Sequence, residues 1–113
     1  MKRVLLGVFG GVILCTAGAS SAGRPDSEAG REIAKVVCAP CHGLNGISLV
    51  MTYPNLAGQK EKYLIAQLRA YRSGERRNEE AMTPLAVEMT DQEIKDLSAY
   101  YSNLDGGAEA EGG

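Results

Sequence analysis

The chain predicts an all-α fold with three main helices, and three observations carry that expectation. Apolar residues recur at helical spacing in three separate windows. Alternating, β-branched runs bounded by turn residues are scarce between them. Once the two ends are set aside, residues 23–104 remain, enough for one small domain.

The first 22 residues read as a secretory signal peptide rather than as fold. Met1, Lys2 and Arg3 form a basic start, Val4 to Leu14 an apolar run, and Ala17, Ala19, Ser20, Ser21 and Ala22 a small-residue cleavage zone. The apolar run falls well short of the roughly 20 residues a helix needs to cross a bilayer. Cleavage is expected after Ala22, with Ala19 the alternative. Cys15 is read as part of the removed peptide, because Leu14 stands before it where a lipidated cysteine needs a small residue. The expected destination is therefore the periplasm, with no stable membrane insertion after cleavage. Of 12 basic residues, Lys2 and Arg3 leave with the signal, so 10 face 14 acidic ones in the mature chain. That balance excludes nucleic acid as an expected partner.

The first helix is expected over DSEAGREIAKVVC, with Asp26 or Ser27 as N-cap and Ala29, Ile33, Val36 and Val37 on one apolar face. Gly30 interrupts it. A glycine inside a helix costs about 1 kcal/mol relative to alanine, so another element is expected to pass close to it.

Directly after this window come Cys38, Ala39, Pro40, Cys41 and His42, the CxxCH spacing. Two thiols a short turn apart can add to the two vinyl groups on one edge of a haem. The histidine that follows is then held against one face of the ring as the iron's proximal ligand. His42 is the one histidine in the chain. A thioredoxin-like CxxC would want a βαβ setting, and a structural zinc site would want four ligands. A plain disulfide leaves His42 without a role. One covalent haem c is the expected cofactor, and it also supplies the apolar body that a domain this small needs.

Beyond His42, the stretch GLNGISLVMTYPNLAGQ reads as loop. The second helix is expected over Lys60 to Ser73, with Tyr63, Leu64, Leu68 and Tyr71 on one side and Gly74 as its stop. The last helix is expected to start at Thr90, where Thr90 and Glu93 make a capping box, and to end near Asn103. Its stripe is Ile94, Leu97, Tyr100, Tyr101 and Leu104. The tail, residues 105–113, is Gly- and Glu-rich and is expected to be disordered. Six basic residues between Lys60 and Arg77, against nine acidic ones from Glu79 onwards, predict a dipolar surface. With no second histidine, a thioether is the natural sixth ligand, leaving Met51, Met82 and Met89. Met89 sits at the hydrophobic-staple position before Thr90, and Met51 is placed to line the pocket.

From Gly30 to Tyr101 the sequence resembles the class I cytochromes c. The wording PNLAGQ, then the YLxxQL pattern from Tyr63 to Leu68, then SGERR, is similar to small bacterial monohaem carriers and to single domains of dihaem bacterial cytochromes. It is also similar to the haem subunit of flavocytochrome sulfide dehydrogenases. The resemblance implies three main helices with loops wrapped around one covalently bound haem. It implies that Gly30 packs on the ring of Tyr100 where the first and last helices cross. It further implies that the carbonyl of Pro54 accepts a hydrogen bond from His42, and that Met82, on the loop before the last helix, is the distal ligand. The function implied is one-electron transfer, not enzymatic turnover, between redox proteins: a reductase or dehydrogenase as donor, an oxidase or another cytochrome as acceptor. The alternative is a haem subunit held within a dehydrogenase complex.

Overall fold

The structure, a computed structural model, describes residue 7, residues 10–13 and residues 23–106. Cys15, the expected cleavage site and the tail beyond 106 lie outside the described residues. Among the described residues there is no strand, and no helix is long and apolar enough to cross a membrane.

Helix α1 spans Ser27–Ile33. Asp26 is its N-cap: the carboxylate accepts from the Glu28 and Ala29 amides at 3.0 and 3.1 Å, which satisfies donors that have no partner inside the helix. The chain continues through a π-helical turn, Ala34–Cys38, into the short α2, Ala39–His42. Pro40 is the physical cause of the wider turn. In an unbroken α-helix its ring would collide with the carbonyl four residues back, and it has no N–H to donate. In the π turn the Ala39 amide bonds the Ala34 carbonyl instead.

Helix α3, Glu61–Ser73, ends at Gly74 in the left-handed conformation, φ 81°. Helix α4 is Met82–Val87, and α5 is Asp91–Ser102 with the predicted capping box: the Glu93 amide donates to Thr90 Oγ1 at 3.1 Å, and the Thr90 amide to Glu93 Oε2 at 2.8 Å. Pro84, in the first turn of α4, sits where a missing N–H costs nothing. The expectation that Met82 lies on a loop is thus corrected, because it opens a helix.

The core is Ala34, Leu64, Met89, Ile94, Leu97 and Tyr101, with Ile33, Val37, Cys38, Leu68 and Tyr100 packed on it. Val36, expected on the inward face of the first helix, is 77 % exposed, and the inward face is instead Gly30, Ile33, Ala34 and Val37. Helices α1 and α5 cross at Gly30. A Cβ built there would overlap the Asp96 carbonyl and stand 2.9 Å from the Leu97 amide nitrogen. The predicted close approach is present, but the nearest atoms are backbone of α5, not the Tyr100 ring. Asp96, a buried carboxylate, locks the crossing by accepting from the Asp26 amide and from Gln92 Nε2, each at 2.8 Å.

A second tie binds α3 to the start of α5. The Arg72 guanidinium donates to the Met89 carbonyl at 3.2 Å and to Asp91 Oδ1 at 2.6 Å, and Arg69 stands 3.6 Å from the same carboxylate. The hydrogen bond from Arg72, then its charge, holds the Asp91 carboxyl below the usual carboxylate range. These pairs also neutralise part of the basic segment that the sequence assigns to an open surface.

Two outcomes are expected. Gly30→Ala should lower the unfolding free energy of the haem-loaded protein by roughly 2 kcal/mol, because overpacking at a backbone crossing outweighs alanine's gain in helix propensity; an unchanged urea midpoint would contradict the close crossing. Asp91→Asn should lower Tm at pH 7. Because the folded carboxyl is the more acidic one, its contribution is present above the unfolded value of about 3.9 and vanishes as pH falls through the folded value. Thermal melts of the two proteins should therefore converge at acid pH.

Candidate haem site

The segment after α2 builds the site from local rules. Gly43 ends the helix at φ 84°, and a side chain there would overlap the Ile47 carbonyl. The Gly46 carbonyl accepts from the Leu56 and Ala57 amides at 2.8 and 3.1 Å, closing residues 46–57 into a loop. Inside it the Ser48 amide donates to Asn55 Oδ1 at 2.8 Å, and the Ser48 hydroxyl donates to the Cys41 carbonyl at 3.2 Å. The Gly58 amide then donates to the Tyr101 carbonyl at 2.9 Å, fastening the loop to the end of α5.

This closure carries the Pro54 carbonyl to 2.7 Å from Nδ1 of His42. A carbonyl can only accept, so Nδ1 carries the hydrogen and Nε2 is left with a lone pair, the form that can coordinate a metal. His42 is buried at 7 % exposure and lines a cavity of about 300 Å³.

The same cavity receives Cys38, Cys41, Pro54 and Met82, which come from three separate stretches of chain. Tyr63, Leu64, Leu68 and Tyr71 of α3 line it, as the sequence places them. So do Leu97, Ser98 and Tyr101 of α5. Met89 lines it too, from the core position expected for it. Met51 does not: it is fully exposed, which corrects the expectation that it lines the pocket.

The cavity's chemistry fits a haem. Its wall is mostly apolar, as a macrocycle requires, and Asn55, Gln59, Gln67, Arg76 and Glu79 add polar groups, among which the Arg76 guanidinium is a donor suited to a carboxylate. Arg76 is held there by a hydrogen bond to Gln67 Oε1 at 2.9 Å and by lying 4.6 Å over the Tyr71 ring. Burial pushes the Cys38 thiol up, reinforced by the neighbouring Cys41 and opposed by contact with Tyr101. Burial likewise pushes the Tyr101 phenol well up. Two buried hydroxyls on the wall, Ser98 Oγ and Tyr101 OH, have no hydrogen-bond partner among the described residues. Such orphans mark a space meant to hold another group. Among the described residues no cluster of three or more His, Cys, Asp or Glu side chains offers a rival metal site.

Sequence reasoning missed Ser98, Arg76 and the wall role of Tyr101. Ser98 carried a signal: it interrupts the 94, 97, 98, 101 face of α5, where a polar residue has no solvent to meet.

Known proteins agree with this geometry. The chain is 48 % identical over 77 residues to cytochrome c4 of Thiocapsa roseopersicina, covering 68 % of this chain and 39 % of that protein. It is 46 % identical over 68 residues to cytochrome c-554(548) of Halomonas halodenitrificans, covering 58 % of this chain and 82 % of that one. The crystal structure of reduced recombinant cytochrome c4 from Pseudomonas stutzeri superposes with a TM-score of 0.65 at 34 % identity, over 72 % of this chain and 46 % of that chain. The chain thus spans less than half the length of these two cytochrome c4 proteins. Residues 27–105 match the family model described as cytochrome c. On that match, laid over a helical domain whose CxxCH motif opens into an apolar cavity, the chain belongs to the cytochrome c family, whose cofactor is covalently bound haem c.

Proposed function

We propose that this chain is a periplasmic one-electron carrier with a histidine and a methionine on its haem iron. The observation that carries the reading is the 2.7 Å contact between His42 Nδ1 and the Pro54 carbonyl, on a cavity that also receives both motif cysteines and Met82. In this reading Cys38 and Cys41 anchor the haem by thioether bonds. His42 offers Nε2 as the proximal ligand, and Pro54 fixes its tautomer and ring orientation. Met82 supplies the distal thioether.

When bound, the haem supplies an iron that alternates between ferric and ferrous and so takes or gives one electron. The chain's own groups set what that iron is allowed to do. With His42 and Met82 both held on the iron, no coordination position would be open to a substrate. A thioether ligand raises the reduction potential, which suits delivery to an oxidase or another cytochrome. Residues 1–22 act as the cleaved signal, 23–104 as the cytochrome domain and 105–113 as a tail. The charge left outside the Arg72–Asp91 pair would steer short-lived encounters with redox partners.

A second reading, a haem subunit held within a dehydrogenase complex, is favoured by one feature. The loop after the haem motif exposes Leu44, Leu49, Val50, Met51 and Tyr53, with Leu49 at 96 %. Exposed apolar side chains gathered on one loop would suit a surface that a stable partner covers. Size-exclusion chromatography of the native protein separates the two readings, since a carrier runs alone and a subunit runs with its enzyme.

The deciding experiment is an optical spectrum of protein matured in a host that attaches haem c, recorded oxidised, reduced and in alkaline pyridine. A two-thioether haem with a weak near-red methionine–iron band is expected. Met82→Leu should abolish that band and lower the potential, while Met89→Leu should keep both. A wild-type spectrum without the band would sink the closed, histidine–methionine carrier.

A further inference from the structure

Helix α5 brings two hydroxyls to the cavity wall, Ser98 and Tyr101, and both oxygens are buried with no well-formed hydrogen bond among the described residues, although the Cys38 thiol lies near enough to the Tyr101 phenol to interact with it. Leaving a hydroxyl in that condition is unfavourable, because its desolvation is not repaid by a hydrogen bond. Ser98 has a recourse, because its short side chain can rotate to a carbonyl of its own helix. Tyr101 has none. It is 3 % exposed, and its carbonyl is tied by the Gly58 amide at 2.9 Å and the Leu104 amide at 3.2 Å. Its ring lies 5.1 Å from that of Tyr100, and its Cδ1 stands 3.1 Å from where a Cβ on Gly46 would be. The phenol is thus packed away from water.

Cys38 shares that cavity wall with Tyr101. The cysteine packs against the core cluster that contains Tyr101, both residues line the cavity, and each side chain is a polar neighbour of the other. As a free thiol the sulfur can donate or accept. Once it carries two carbons it has no hydrogen and can only accept.

We propose that Tyr101 is a positioning residue whose hydroxyl donates a hydrogen bond to the Cys38 sulfur in the haem-loaded protein. The bond satisfies the orphaned phenol, fixes the sulfur at the point of attachment, and turns the positive end of the O–H dipole toward the haem edge. An electron arriving on the haem is stabilised by that dipole, so the bond favours the reduced form. The inference rests on attachment of haem at Cys38 and adds to it a residue that the CxxCH motif does not contain.

The test compares haem-loaded wild type, Tyr101→Phe and Tyr100→Phe. The last is a control, because Tyr100 neighbours Tyr101 on α5 yet does not line the cavity. Equilibrated with a dye couple of fixed potential, Tyr101→Phe should shift about threefold toward the oxidised form, close to 30 mV at 59 mV per tenfold for one electron, and the control should match wild type. The C–S stretching band in resonance Raman should move in Tyr101→Phe alone. In proton NMR of reduced wild type, the Tyr101 hydroxyl should exchange slowly and show a cross-peak to the Cys38 β protons. That arm decides the matter should the Phe variant fail to take up haem. An unchanged potential and Raman band in Tyr101→Phe, or a hydroxyl proton whose contacts lie with a haem carboxylate instead of Cys38, overturns the proposal. The alkaline pyridine spectrum of the same wild-type sample reads attachment separately. Two thioethers with a silent Tyr101 defeat only this inference, whereas one thioether or none defeats the attachment on which it rests.

Discussion

The contact between backbones at Gly30 and Asp96–Leu97 governs the rest of the molecule. Helix α1 runs without a break through the π turn into Ala39–His42, so where α1 crosses α5 determines where Cys38, Cys41 and His42 arrive. The same α5 delivers Leu97, Ser98 and Tyr101 to the cavity wall. One crossing therefore sets both the attachment edge and the wall behind it. Two devices hold it: the missing side chain at Gly30 lets the helices touch, and Asp96 ties the chain ahead of α1 to α5 through the Asp26 amide. The buried carboxylate is compensated at Oδ1, which accepts from two neutral donors, the Asp26 amide and Gln92 Nε2.

The remaining walls depend on ties made over short stretches of chain. Residues 46–57 close on the Gly46 carbonyl, and that closure brings Pro54 to His42. Arg72 reaches across to the Met89 carbonyl and to Asp91, which fixes the segment running from Met82 to the cap of α5. Both segments that flank the cavity, the 46–57 loop and the stretch from α4 to the cap of α5, are thus anchored to helices at defined atoms, so a bound group meets side chains already in position. Preorganisation of this kind suits a centre whose ligands should move little between two oxidation states.

Surface charge shows how composition and structure part company. Counting residues puts a basic block before an acidic one. In the fold, Arg69 and Arg72 face Asp91, Arg76 turns to Gln67 over the Tyr71 ring, and Asp96 is buried. The field a partner meets is therefore weaker than the count, and the exposed Leu49 and Met51 beside the haem motif stand out against it.

Much of this was legible beforehand because it rests on short-range chemistry. The CxxCH spacing, the capping box at Thr90, the stop at Gly74 and the helical stripes each depend on residues within a few positions of one another, so the sequence by itself determined three main helices and the attachment motif. Gly30 announced a close approach but not what approaches, since the partner lies some 66 residues away and only packing chooses between a ring and a backbone. The same holds for Val36, which helical spacing alone leaves on either flank of the stripe, and for Met51, whose distance from the haem motif along the chain says nothing of which way a loop faces. Tyr101 read as one more apolar stripe position. That its hydroxyl is orphaned beside Cys38 is decided by the tertiary structure, because satisfaction of a polar group is a property of its neighbours in space and not of its place in the chain.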